Sequence, residues 1–177
     1  PTRRSSDLPP GWLQRQWSYG GSPRRINTGL QAERFGWREL GREVERRRAE
    51  LAAARAARGL SAAGAAEGGV FVMAAEYGLA AGVAFYTPSQ LPTHLWSARR
   101  THGENYRFWD DYPRLRGCDA IYVSKKEAQA EAARAALRER FREVGEVERF
   151  PVFAAGREVR AFYLIPCLDF DGRGPPG

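Results

Sequence analysis

The side chains that build most metal and redox sites are scarce in this chain: one Met, two His and two Cys serve 177 residues. Cys118 and Cys167 do not belong to a CxxC, and His94 and His102 stand too far apart for a helical zinc pair, so no metal site is expected. Each cysteine reads as a small buried hydrophobe, with a disulfide as the alternative in an oxidising compartment. Long apolar runs are also missing. A membrane span needs roughly 18–20 apolar residues, and the longest candidates, VFVMAA (70–75) and LAAGVAFY (79–86), are the length of core elements. Residues 1–12 lack the apolar stretch of a signal peptide. The chain itself therefore reads as soluble.

Lysine is nearly absent, at 2 against 26 Arg, which reads as the imprint of a GC-rich gene, since a solvated helix face tolerates either cation. The net charge of +7 is uneven. Residues 1–60 hold 13 Arg against 6 acids (13 − 6 = +7), and residues 61–177 hold 15 basic and 15 acidic residues. An anionic partner is thus to be sought in the N-terminal third.

Several catalytic signatures are missing as well. AAEYGLAAG, after the first apolar run, is not the G-x-G-x-x-G of a dinucleotide fold, and no G-x-S-x-G elbow occurs. His102-Gly103-Glu104 imitates the H-x-E of zinc deaminases without the P-C-x-x-C that must follow. Asp110 and Asp111 could hold a cation or act as acid and base, but adjacent carboxylates in a loop read first as a solvated turn. Tyr106, Phe108 and Trp109 lie beside acids instead of alternating with basic residues on a strand, so no nucleic-acid partner is expected. Nothing calls for a cofactor.

Hydrophobic patterning supplies the elements. Residues 1–35 are rich in Pro, Gly, Ser and Arg and read as a disordered tail or linker. Residues 36–170 read as one domain, and 171–177 as a second tail. In GWRELGREVERRRAEL (36–51), Trp37, Leu40, Val44 and Leu51 mark the apolar face of a helix, with Glu43 and Arg47 as an i, i+4 pair. VFVMA (70–74) predicts a strand covered on both faces. YGLAAGVAFYT predicts a helix whose small residues allow close packing, ended by Pro88. THLW (93–96) and DAIYV (119–123) predict further strands. Ser124 and Glu127 form S-x-x-E, a capping box opening a helix over KEAQAEAARAALRERF. VERFPVF and REVRAFYLI, joined through Ala155-Gly156, predict a hairpin. The fold class is α/β: a small, layered, partly parallel sheet flanked by helices, with a C-terminal antiparallel hairpin.

The loop RRTHGENYRFWDDY (99–112) concentrates three Arg and four aromatics between two apolar stretches. GWRELGREV (36–44), FVMAAEYGLAAGVAFYTP (71–88), RRTHGENYRFWDD (99–111) and LRGCDAIYVS (115–124), in this order and spacing, resemble the C-terminal soluble domain of bacterial membrane glycosyltransferases of family 39. This is the protein mannosyltransferase-like group related to the lipid A aminoarabinose transferases. The similarity runs over residues 28–170 and rests on "Y-x-L-A-A-x-x-A-F-Y-x-P" (Tyr77 to Pro88), on an Arg-rich loop with "N-Y" and a Trp (Arg99, Arg100, Asn105, Tyr106, Trp109), and on "L-x-G-x-D-A-x-Y-V" (Leu115 to Val123). The loop departs from the commoner N-x-Y/F-x-x-W, so the resemblance does not assign the individual aromatics.

The resemblance implies a parent enzyme of GT-C architecture in the bacterial inner (plasma) membrane, with this domain on the extracytoplasmic, periplasmic side. It implies a missing N-terminal multi-pass membrane domain and a polyprenyl-phosphate-linked sugar donor as partners. The family's catalytic Asp lies in that membrane region, so no catalytic residue is assigned here. Arg99, Arg100 and Arg107 would suit a lipid phosphate or diphosphate. Tyr106 and Trp109, beside Asn105, are typical interfacial aromatics. The opening PTRRSSDL (1–8) resembles a translated sequencing-adapter fragment, and that resemblance implies a chain cut from a longer protein. Two rival readings are a free-standing α/β module for an anionic ligand and a small enzyme using Asp110 or Asp111 with His102. The loop could also simply close the domain's own sheet edge.

Overall fold

The amphipathic N-terminal pattern forms a long helix, α1 (Trp37–Ala57), in the computed structural model, which describes residues 35–60, 66–96, 111–154 and 156–175. The apolar run at Val70–Ala74 is strand β1, buried at every position. Helix α2 (Tyr77–Tyr86) and the edge strand β2 (Thr93–Leu95) follow. A 3-10 turn at Tyr112–Leu115 leads into β3 (Asp119–Ser124) and helix α3 (Glu127–Arg138). Strands β4 (Phe141–Val144), β5 (Glu148–Ala154) and β6 (Arg157–Phe170) complete the domain. The strand order is β2-β1-β3-β6-β4, with β5 also paired to β6. β1 pairs in parallel with β2 and β3, whereas β6 is antiparallel to β3, β4 and β5. The expected α/β class, with a partly parallel sheet and a terminal hairpin, is what forms.

The two-residue period of the strands sorts the core into two layers. Val72, Ala74, Ile121, Val123, Phe162 and Leu164 face α1 and α2, where they meet Leu40, Val44, Leu79, Ala80 and Val83. Phe71, Met73, Ala120, Tyr122, Ile165 and Cys167 face α3, where they meet Ala130, Leu137, Phe141 and Phe170. Helices α1 and α2 approach closely through glycine. A Cβ on Gly41 would stand 2.2 Å from the Tyr86 carbonyl oxygen, and one on Gly82 would stand 2.3 Å from the Trp37 ring. Gly41→Ala should therefore destabilise by about 1–3 kcal/mol through overpacking, in spite of a helix-propensity gain of about 1 kcal/mol. A urea midpoint at or above the native one would show that the helices can separate at no cost.

Two local expectations are corrected. No capping box opens α3. Ser124 is the last residue of β3, its Oγ accepts from the Lys126 N–H at 3.1 Å, and the residue preceding the helix is Lys126. The hydroxyl also lies 3.0 Å from the Lys126 carbonyl and 3.1 Å from Gln129 Oε1. It stitches the strand–helix corner two residues earlier than a box would. Ser124→Ala should cost about 0.5–2 kcal/mol, and Glu127→Gln should leave the urea midpoint in place. A loss from the glutamate variant instead would restore the box. The helix also stops short of Phe141, which begins β4 because its ring packs 4.8 Å from Phe170 in the core.

Cys118 and Cys167 are both buried and are not joined in a disulfide, as expected of small hydrophobes. Burial pushes both thiols above the usual range, offset at Cys118 by Arg55. Neither should react with Ellman's reagent at pH 8 in the folded protein, and both should in urea. Rapid native labelling would mean that the sheet opens locally.

Candidate functional site

Arg99, Arg100, Asn105, Tyr106, Arg107 and Trp109 lie outside the described residues, as do His102 and Asp110. Both ends of their segment are described, one bonded to the end of β1 and the other to the end of β2. At one end the Trp96 N–H donates to the Ala74 carbonyl at 2.9 Å, and its indole is buried near Phe141 and Phe170. At the other end the Tyr112 hydroxyl donates to the Leu95 carbonyl at 2.7 Å, its ring edge-on to Trp96 at 6.0 Å. The arginine-rich sequence thus enters and leaves the described fold at one place.

Beside that place is an open cleft of about 410 Å³. Its walls are apolar: Val70, Phe71, Val72, Leu91, Pro92 and Leu115. Three polar side chains share the lining, namely His94, Asp111 and Arg114. His94 is held edge-on to Phe71 at 5.5 Å and lies 6.1 Å from the Tyr112 ring. Arg114 pairs with Asp111 at 2.9 Å, with side chains 73% and 57% exposed. Such a solvated pair contributes little to stability, so the guanidinium can turn to another anion at small cost. Asp111 stands at the N-terminal boundary of the 3-10 turn and makes no capping hydrogen bond through its side chain. Among the described residues no group of three His, Cys, Asp or Glu could hold a metal ion.

In open α/β sheets, ligands commonly sit outside the carboxyl ends of the strands where the chain reverses its winding. Here that crevice lies between β1, which leads into α2, and β3, which leads into α3. It holds the Glu76–Lys125 ion pair at 3.5 Å, with the Lys125 ammonium 5.8 Å from the Trp37 ring. An acidic side chain at the start of α2 repels phosphate from the usual anion position at a helix N-terminus. The cleft at the β2 edge offers the better combination of apolar wall and solvated cation.

One charged cluster escaped the sequence reading. Asp119, buried at the start of β3, accepts from Arg58 Nη2 at 2.8 Å, from the Asp169 N–H at 2.9 Å, and from Arg55 Nη1 at 3.4 Å. Arg55 is itself only 3% exposed. The signal was present: Arg55 lies eighteen residues after Trp37, five full turns, and so on the buried face of α1. This cluster ties α1 to two strands and is structural.

Comparison with protein-family models, with curated proteins and with solved structures returns no match. No described helix is long and apolar enough to cross a membrane.

Proposed function

We propose that this chain is the extracytoplasmic C-terminal domain of a membrane glycosyltransferase that uses a polyprenyl-phosphate sugar, and that it helps to hold the lipid-linked donor or acceptor without performing the transfer. The observation that carries the reading is the make-up of the cleft at the β2 edge. A polyprenyl phosphate needs an apolar trough for isoprene units and cations for the phosphate. The trough is Val70, Phe71, Val72, Leu91, Pro92 and Leu115, and one cation is Arg114. Arg99, Arg100 and Arg107 belong to the segment that begins and ends beside it, and each guanidinium can give a phosphate several charge-assisted hydrogen bonds. The resemblance to the family 39 enzymes is independent support from sequence order.

Two experiments test this reading. The gene upstream of residue 9 should encode several apolar segments of about 20 residues; a start codon behind a short leader would contradict it. The purified chain should transfer no sugar from any polyprenyl-phosphate donor, because the family's catalytic region is elsewhere. Turnover by the isolated chain, lost in Asp110→Asn or Asp111→Asn, would make it an enzyme in its own right.

A further inference from the structure

A second cleft, of about 420 Å³, opens where β3 and β4 begin and β6 ends, and it shares no lining residue with the cleft at the β2 edge. Four arginines line it: Arg116 ahead of β3, Arg140 and Arg142 at the start of β4, and Arg173 beyond β6. Backbone bonds hold these stretches together. The Asp171 N–H donates to the Arg140 carbonyl at 2.8 Å, and the Gly117 N–H to the Phe170 carbonyl at 2.7 Å. Arg116 lies against Gly172, where a Cβ would stand 3.0 Å from Arg116 Cβ.

The acids of the lining do not use all four cations. Asp169 pairs with Arg142 at 3.2 Å, and Asp171 with Arg173 at 2.6 Å. Glu139, the third acid, is exposed just beyond α3 and pairs with neither remaining arginine. Arg140 is half-buried, and its hydrogen bonds go to two neutral acceptors, the Gly174 carbonyl at 3.1 Å and the Glu139 carbonyl at 3.4 Å. Arg116 is exposed and enters no ion pair among the described residues. Two guanidinium groups thus stand unmatched in one cleft, against a single solvated carboxylate.

We propose that this cleft binds a phosphate group, as a monoester or as the free ion, through Arg116 and Arg140. A guanidinium gives phosphate oxygens paired, charge-assisted hydrogen bonds. A phosphate monoester carries about −1.5 to −2 charge at pH 7, which matches two such groups, whereas a carboxylate brings one charge. The Arg142–Asp169 pair, with side chains 65% and 47% exposed, is solvated and weak, so Arg142 can also turn to the anion at small cost. The lining limits how much ligand enters. Its two aromatic residues, Phe141 and Phe170, are buried in the core, so no open ring is offered for a base to stack on. The three carboxylates would repel the further phosphates of a nucleic-acid strand. A lone phosphate group meets neither objection. The inference does not rest on the polyprenyl reading.

Calorimetric titration of the chain with inorganic phosphate and with glycerol phosphate, at constant ionic strength, tests it. Both should bind saturably, and acetate and chloride should not. Tighter binding of glycerol phosphate would make the source a monoester, and tighter binding of inorganic phosphate the free ion; either supports the site. Arg116→Gln and Arg140→Gln should each weaken binding about tenfold, the scale of one lost charge-assisted contact, and Arg140→Lys should restore part of it. Arg138→Gln removes an exposed charge outside the cleft and should leave the affinity within about twofold. Circular dichroism confirms the fold of each variant. Absence of saturable binding overturns the inference, as does undiminished binding in Arg116→Gln and Arg140→Gln. An equal loss in Arg138→Gln would mean that only general positive charge attracts the anion, which also overturns it. So does phosphate binding that Arg114→Gln removes and Arg140→Gln spares, which would belong to the cleft at the β2 edge.

Discussion

Asp119→Ala should cost about 3–5 kcal/mol, the range for breaking a buried ion pair by removing one partner. Domains of this size have total stabilities of only about 5–15 kcal/mol, so much of the population should unfold on mild heating. The carboxylate is 1% exposed and receives two guanidinium groups and one backbone N–H. Its loss leaves Arg55, 3% exposed, without the carboxylate opposite it, and leaves the Asp169 N–H without its acceptor at a residue with φ 60°. Asp119→Asn should fall between, because an amide oxygen can still accept the backbone proton. Replacing both partners, as in Arg55→Met with Asp119→Leu, should recover part of the loss, since the buried charges are then removed together. Urea midpoints for the four proteins decide it. A shift below about 0.5 kcal/mol for Asp119→Ala would mean that water reaches the pair.

On the proposed reading, Arg100→Ala and Trp109→Ala in a full-length glycosyltransferase carrying this domain should lower sugar transfer, the arginine variant about ten- to a hundred-fold, on the scale of one lost charge-assisted contact to phosphate at about 1.5–3 kcal/mol. Arg100→Lys should rescue only in part, because an ammonium cannot present the paired donors of a guanidinium. The same changes in the isolated chain should move its urea midpoint by under about 0.5 kcal/mol. The competing possibility, that residues 99–112 close the domain's own sheet edge, reverses both results: a lowered midpoint and normal turnover per folded molecule. Measuring the two quantities on the same variants separates the readings.

The strands were legible where a short apolar run or a strict two-residue alternation left no other choice, as in VFVMA, DAIYV and REVRAFYLI. β4 was not. FREV follows a strong helical pattern without a break, and only the packing of Phe141 against Phe170 draws it into the sheet. The S-x-x-E at Ser124 misled because the chain reaches α3 from a strand that already uses Ser124, so the local motif lost to strand pairing. The Arg55–Asp119 contact spans 64 residues, a separation that no local pattern reports. The candidate site was legible in one part only. The loop's composition marked residues 99–112, but the cleft beside it is assembled from residues 66, 70–72, 91, 92, 94, 111, 114 and 115, which parallel pairing of β1 with β2 helps to bring together. The exposure of Tyr77 and Phe85 on α2 was hidden for the opposite reason, since the helix's composition reads as that of a fully buried one.

Titration of farnesyl phosphate into the purified chain, followed by calorimetry, bears most directly on the cleft as a seat for a polyprenyl-phosphate carrier. Saturable one-to-one binding is expected, with farnesol and inorganic phosphate each at least about tenfold weaker, because each keeps only one half of the amphipathic match. Arg114→Gln should weaken the phosphate ester and leave farnesol unchanged. No saturable binding, or farnesol binding as tightly as its phosphate, would contradict a site built for a phosphorylated lipid carrier.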